Sequence, residues 1–293
     1  MLKNGFTFLG LCLVLQPVAA LPVTEAKVNG MTEINVDGGN FYVGSVFGLE
    51  DYAAHANTSI PSFFMTQTEI TYQQYHALQD WADAHGYQLS GGCNGATFED
   101  CLSPEQDGGQ HPVTNVSWWD AVIFANALSE RQQLQPRYLT IDGKTLKRAP
   151  EDDNDKLMRE DLQASGYRLP TLAEWHMAAR GGQKGLADAT YGSRYAGSEQ
   201  SERVAHFPSD RQSFGTVPVA SKRPNSLGLY DMSGNVSEWL NEPYAVEGGK
   251  TMFYFCGGSY LEQVHSLASC DLHTPGFFMP DIGFRLVRTR GDK

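Results

Sequence analysis

Six side chains in the C-terminal part of the chain could share one chemistry. Ser259, Tyr260, Glu262, His265 and Cys270 fall within GGSYLEQVHSLASC, residues 257–270, and Arg285 follows in IGFRLVR, residues 282–288. Together they form a candidate pocket. A carboxylate such as Glu262 can work as a general base, or it can pair with a cation, for which Arg285 is the candidate. His265 and His273 bracket Cys270 and Asp271, and imidazole, thiolate and carboxylate are ligands for zinc or iron. Their spacing matches no standard metal template. The sequence has no GxSxG elbow, phosphate-binding loop or HExxH helix.

A second group consists of hard oxygen donors. In GLYDMSGNVSEW, residues 228–239, Asp231 and Glu238 flank a Gly-Asn turn. Two carboxylates with turn carbonyls are the donors that calcium prefers. The EDDND run at 151–155 is also acidic and reads as a solvated loop.

The cysteines are read through their compartment. Lys3, the apolar run from Phe6 to Leu15 and the small residues Val18-Ala19-Ala20 form a signal peptide over residues 1–20. That run is too short to span a bilayer, and no other stretch is long or apolar enough. The mature chain is therefore expected in the periplasm or outside the cell, where thiols pair. Of the five cysteines, Cys12 falls in the signal peptide. Cys93 and Cys101 close a short loop rich in Gly and Asn, and their pairing is the simplest connectivity. Cys256 and Cys270 are then left, paired or free.

These side chains need a scaffold to position them. A chain of 293 residues with 41% hydrophobic and 19% charged residues can bury a full core. Its formal net charge of -12 excludes a nucleic-acid binder, which needs a basic face to displace counterions. Thr71 to Gln74 and Thr171 to Glu174 are capping boxes opening helices, and Ser117 with Asp120 gives a similar start. Gly86 and Gly181-Gly182 stop two of these helices. Residues 31–45 alternate around Asp37-Gly38-Gly39 and predict a β-hairpin. Arg168 and Glu174 are placed to pair across the corner at Pro170. The fold class is α+β in one domain over residues 33–289. A linker at 21–32 and a tail at 290–293 flank it, and much of the chain is irregular.

Six phrases in order carry a resemblance. They are HPVTNVSWWDA, GYRLPTLAEWHMAARGG, GTVPV, PNSLGLYDMSGNVSEW, GGSY and IGFRLVR, spread over residues 111–288. Together they resemble the formylglycine-generating enzyme family, or sulfatase-modifying factor domain. The resemblance implies a C-type-lectin-like fold with little regular structure. It also implies a calcium ion on the side chains of Asp231 and Glu238 and the carbonyls of Gly234 and Val236. A second family calcium site would fall where His206 replaces an Asn ligand and Arg211 stands near the carboxylate position.

The family oxidises a sulfatase cysteine with oxygen and copper(I) held by two thiolates, set two and seven residues after the GGSY tyrosine. Those positions are Glu262 and Leu267. A carboxylate is a poor ligand for soft copper(I), and leucine is none. Copper and the parent oxidase activity are therefore not expected. The resemblance leaves two expectations. One is a calcium-stabilised binding or accessory module for a peptide or small-molecule ligand. The other is a redox tailoring enzyme, like the periplasmic family members needed to oxidise the pyoverdine chromophore. The sequence selects no oligomeric state. Asn115 and Asn235 open N-x-S/T sequons but lie inside the family phrases and read as fold elements, while Asn57 opens a third.

Overall fold

The structure, a computed structural model, describes residues 26–28, 30–42, 58–97, 99–151, 155–208, 215–246, 249–262, 266–267 and 269–290. Residues 1–20, expected to be a signal peptide, and Asn57, Arg211 and His265 lie outside them. The fold is α+β, with about 21% helix and 27% strand, so loops make up half of what must be held in place.

In chain order, β1 (Ala26–Val28), β2 (Met31–Val36), β3 (Gly39–Phe41), β4 (Thr58–Ile60) and β5 (Phe63–Thr66) precede the helix α1 (Tyr72–Ala84). Then come β6 (Cys93–Asn94), β7 (Val113–Thr114), α2 (Trp118–Arg131), β8 (Tyr138–Thr140), β9 (Met158–Glu160) and β10 (Tyr167–Arg168). The helices α3 (Leu172–Ala179), α4 (Gly182–Ala187) and α5 (Ser201–Val204) follow. The chain closes with β11 (Ser237–Ala245), β12 (Thr251–Cys256), β13 (Cys270–His273), β14 (Ile282–Gly283) and β15 (Val287–Thr289). Among the described residues no helix is long and apolar enough to cross a membrane.

Two sheets carry the architecture. One has the order β1-β2-β5-β15-β10, so the last strand sits between elements from the first third and the middle of the chain. The other has the order β13-β12-β11-β14 and is antiparallel except for the β11–β14 pair. The apolar core falls into two clusters. Trp118, Trp119, Tyr75, Phe124 and Phe284 centre one around α1 and α2. Trp175, Met232, Leu240, Tyr254 and Leu267 centre the other under α3. Trp118 stacks on Phe253 at 3.9 Å between ring centroids and donates its indole N–H to the Leu240 carbonyl. Truncating such a buried aromatic to Ala costs about 3–5 kcal/mol.

The three long helices start where their caps predict. Thr71, Ser117 and Thr171 each accept from the amide three residues on, and Gln74, Asp120 and Glu174 return the bond. Arg168 holds Glu174 in a bidentate pair at 2.6 Å on both arms. Three expectations are corrected. Residues 31–45 are not a hairpin: β2 pairs with β1 and β5, whereas β3 pairs with β4. Gly38 makes the crossing between sheets, since a Cβ there would lie 2.3 Å from the Ile60 carbonyl oxygen. The segment 21–32 is not simply a linker, because β1 and the start of β2 add to the first sheet. Gly182 does not only end α3; it opens α4.

The Cys93–Cys101 disulfide is present and closes the loop that follows β6. The loop is then pinned by a buried polar chain. His111 Nε2 contacts Asp107 at 3.0 Å, and His111 Nδ1 meets the Thr216 hydroxyl at 2.7 Å. Asp107 is held ionised and can only accept, so Nε2 is the donor and Nδ1 accepts from the Thr216 hydroxyl, whose oxygen also takes the Ala96 amide. That makes His111 a neutral imidazole with its proton on Nε2, donated to Asp107. Burial, reinforced by His206, holds His111 below the usual histidine value even with Asp107 beside it. Gly95 is required here, with φ +60 and space for a Cβ only 2.0 Å from Thr216 Oγ1.

This chain predicts an acid-sensitive fold. Burial of Asp107 works against its charge, but hydrogen bonds from Asn94 and the Gly109 amide outweigh it and hold the carboxyl below its ordinary value. With both groups depressed in the folded state, the unfolded chain takes up protons first as pH falls. Stability is therefore full at neutral pH and lost on acidification, starting below about 6.5. Urea melts across this range should show the loss, with a smaller pH slope in His111→Gln. Thr216→Val should cost about 1–3 kcal/mol at neutral pH by leaving Nδ1 and the Ala96 amide unpartnered.

Candidate functional site

Arg285 sits at the centre of a buried cluster of charged groups. It is fully buried. Its Nε and Nη2 each donate to Glu238 at 2.7 Å, and its remaining N–H groups reach the carbonyls of Tyr230, Thr66 and Gln67. Trp175 adds an indole N–H to Glu238 Oε2 at 2.8 Å. Glu262 is exposed and takes no part. The partner of Arg285 is thus Glu238, not Glu262, because β11 brings Glu238 against β14 while the Glu262 side chain is exposed.

Two more carboxylates belong to this cluster. Glu69, midway along the β5–α1 connection, is wholly buried and accepts from the Asn235 side chain at 2.9 Å and the Val236 amide at 3.3 Å. Asp231 Oδ2 accepts from the Ala220 amide at 2.7 Å. Burial, then the charges of Asp231 and Glu238, pushes the Glu69 carboxyl well above the carboxylate range, against the pull of Arg285. Burial pushes Asp231 up to about 6. Three carboxyl groups thus face one guanidinium. The turn that carries Asp231 and leads into Glu238 is tight: Asp231, Gly234 and Asn235 have φ of 56, 76 and 64. Asp and Asn tolerate that left-handed region better than most residues.

The GGSY turn is closed on itself. Ser259 Oγ donates to Asp281 at 2.6 Å and accepts from the amides of Leu261 and Glu262. Tyr260 is buried, with its hydroxyl toward the Pro280 carbonyl at 3.4 Å. Leu267 is buried in the second apolar cluster, and its amide donates to the Arg194 carbonyl. The candidates among the described residues therefore do not line one pocket. Arg285 is sealed in a charge cluster, Ser259 and Tyr260 are parts of a turn, and Glu262 faces solvent.

Cys270 has a different neighbour from the expected one. It faces Cys256 across β12 and β13 and is joined to it as a disulfide. Alternation along β13 puts Asp271 and His273 on the other face, and His273 stacks on Phe277 at 3.4 Å. The histidine beside Cys270 is His176 of α3, with Nε2 at 3.7 Å from Sγ. Burial, then the charge of Arg180, pushes His176 down to about 3.

Sequence reasoning missed His176 and Glu69. Each lies far along the chain from its partners. The available signal was a polar residue inside a segment buried on every side, as α3 is from Leu172 to Ala179 apart from Ala173. Asn115 and Asn235, both at positive φ, serve the fold: Asn115 donates to Cys93 Sγ, and Asn235 is wholly buried.

Comparison with known proteins bears on this geometry. Residues 18–290 match the model of the sulfatase-modifying factor enzyme 1-like domain. The chain is 32% identical over 262 residues to chaperone protein LppX of Paenibacillus barcinonensis, covering 80% of this chain and 82% of that one. It is 26% identical over 282 residues to the inactive C-alpha-formylglycine-generating enzyme 2 of Mus musculus, covering 88% and 86%. The solved structure of CarF superposes with a TM-score of 0.84 at 69% identity, covering 90% of this chain and all of that one.

The buried cluster makes a stability prediction. Arg285→Met should cost about 3–5 kcal/mol in chemical denaturation, because it strands Glu238 without a cation. Adding Glu238→Gln to that variant should recover part of the loss, a coupling that a double-mutant cycle measures.

Proposed function

Because the chain belongs to the sulfatase-modifying factor enzyme 1-like family, we propose that it keeps the family scaffold without the copper-dependent cysteine oxidation and serves as an exported binding or accessory module. The observation that carries this reading is at the two positions the resemblance gives to copper thiolates. Leu267 is 1% exposed within an apolar cluster, and Glu262 is exposed in a turn. Neither offers a soft ligand. The relatives support an accessory role: one is named a chaperone and another is named inactive. A peptide or small molecule is the ligand class of this reading.

Calcium is part of the same proposal. The donors at residues 231–238 are carboxylate and carbonyl oxygens, the chemistry of a hard cation. With Arg285 offsetting Glu238, burial raises the proton affinity of Glu69 and Asp231, and a divalent ion would supply the compensating charge in place of those protons. Glu238 is already bonded to Arg285 through both oxygens. Asp231 and the carbonyls of Gly234 and Val236 would therefore carry most of the coordination, and the ion would supply loop order rather than chemistry.

Two measurements test these readings. The purified mature protein, given copper and a peptide bearing the sulfatase cysteine motif, is expected to leave the cysteine unchanged by mass spectrometry. Formylglycine on the peptide would sink the proposal, and oxygen uptake with a reduced siderophore precursor would favour redox tailoring instead. Calcium at about a hundredfold over its dissociation constant should stabilise the fold by about 2.7 kcal/mol, seen as a rise in Tm. Asp231→Asn should abolish that rise, and an unchanged Tm in the parent chain would remove calcium from the reading.

A further inference from the structure

One group of side chains has ligand chemistry that the cluster around Arg285 does not use. His176 is 2% exposed, and its Nδ1 has no hydrogen-bond partner among the described residues. A buried imidazole with no polar partner loses hydration without compensation, so its presence needs a reason. Its other nitrogen faces sulfur. A His176 ring nitrogen, Cys256 Sγ and Cys270 Sγ all lie within 4.8 Å of one another.

The backbone fixes this meeting. Cys256 and Cys270 are directly opposed in the β12–β13 ladder, at a Cα–Cα separation of 4.2 Å. Tyr254 and Leu272 are the next pair with side chains on the same face. The helix α3 packs on β11, the neighbouring strand, and presents His176 over the cysteine pair. In the oxidised chain the two sulfurs are bonded and offer a metal nothing. Once that bond is cut, they must separate to non-bonded contact while the strands stay paired.

We propose that His176, Cys256 and Cys270 form a redox-gated zinc(II) site, closed as the disulfide and open as two thiolates with one imidazole. The distances fit. Tetrahedral zinc with Zn–S of about 2.3 Å and Zn–N of about 2.0–2.1 Å places S and N about 3.5 Å apart, and two sulfurs about 3.8 Å apart. The Cys270 Sγ to His176 Nε2 distance is already 3.7 Å. Three protein ligands leave the fourth position to water or an incoming donor.

Opening balances as thiol–disulfide exchange with a dithiol reductant. The dithiol attacks Cys270 Sγ, the half-buried member of the pair, and Cys256 leaves as thiolate. The second thiol of the reductant resolves the mixed disulfide. One dithiol becomes a disulfide, and its two protons end on Cys256 and Cys270. Zinc binding then releases those two protons. The site is distinct from the two copper positions, which hold Glu262 and Leu267, and it stands whether or not the accessory reading above is correct.

Cobalt(II) is the probe. The mature chain, reduced under argon with a phosphine, should take up one cobalt per chain with thiolate-to-cobalt charge transfer and the visible bands of tetrahedral coordination. Zinc should displace it and release about two protons per chain. The oxidised chain should show neither signal. Cys93→Ser/Cys101→Ser should bind as the parent does, Cys256→Ser/Cys270→Ser should not bind, and His176→Asn should weaken cobalt by about tenfold or more. Binding that survives loss of Cys256 and Cys270 would overturn the proposal. So would a reduced parent chain that keeps its near-UV circular dichroism and binds no metal. Collapse of that signal on reduction, not restored by zinc, would overturn it equally, and this last readout needs no substitution.

Discussion

The fold hangs on one guanidinium. Arg285 gathers Glu238 from β11, the Tyr230 carbonyl from the turn before it, the Thr66 carbonyl at the end of β5 and the Gln67 carbonyl just after it. These pieces come from both sheets and from the irregular segment that leads into β11. A planar group with five N–H donors in fixed directions can satisfy all of them at once, which a lysine could not. The desolvation of that charge is offset only because every donor finds an acceptor. Glu238 in turn fixes Trp175, and Trp175 anchors α3 in the second apolar cluster.

This explains how so irregular a chain keeps one shape. Half of its backbone lies outside helices and strands. In such stretches, polar side chains replace the ladder. Asn235 holds Glu69 and the Val217 amide, Asn225 caps the end of α3 and its own turn, and Thr216 with His111 pins the Cys93–Cys101 loop. Each of these side chains is buried, so each bond is made in a medium where losing it would be costly. The disulfides restrain the unfolded chain, but the directional bonds select the loop path.

Local chemistry was legible in the sequence, and long-range meeting was not. The three capping boxes could be read because a cap and its partner lie three residues apart, and the structure has all three. Arg168 with Glu174 was legible for the same reason. The β2–β3 hairpin failed because alternation specifies a strand, not its partner, and Gly38 crosses between sheets instead of folding back. The sequence offers Arg285 only as a candidate cation for Glu262. The actual partner came from the parallel β11–β14 register, which no local pattern encodes. His176 was hidden by its setting: on a short helix with almost no exposed face, a histidine gives no period to read.

The same distinction separates scaffold from chemistry. The turn at 257–262 persists because Ser259 closes it through Asp281 and two amides, whatever stands at position 262. Position 267 faces an apolar cluster, so leucine fills it with a gain in burial. Positions 262 and 267 can therefore carry residues other than thiols without disturbing this turn. The sulfur chemistry of this chain lies instead at Cys256 and Cys270, on paired strands whose spacing is set by the sheet. A ladder holds two sulfurs at fixed separation more rigidly than a loop does. Redox chemistry placed there is coupled to the core through His176 and α3, rather than to a surface turn.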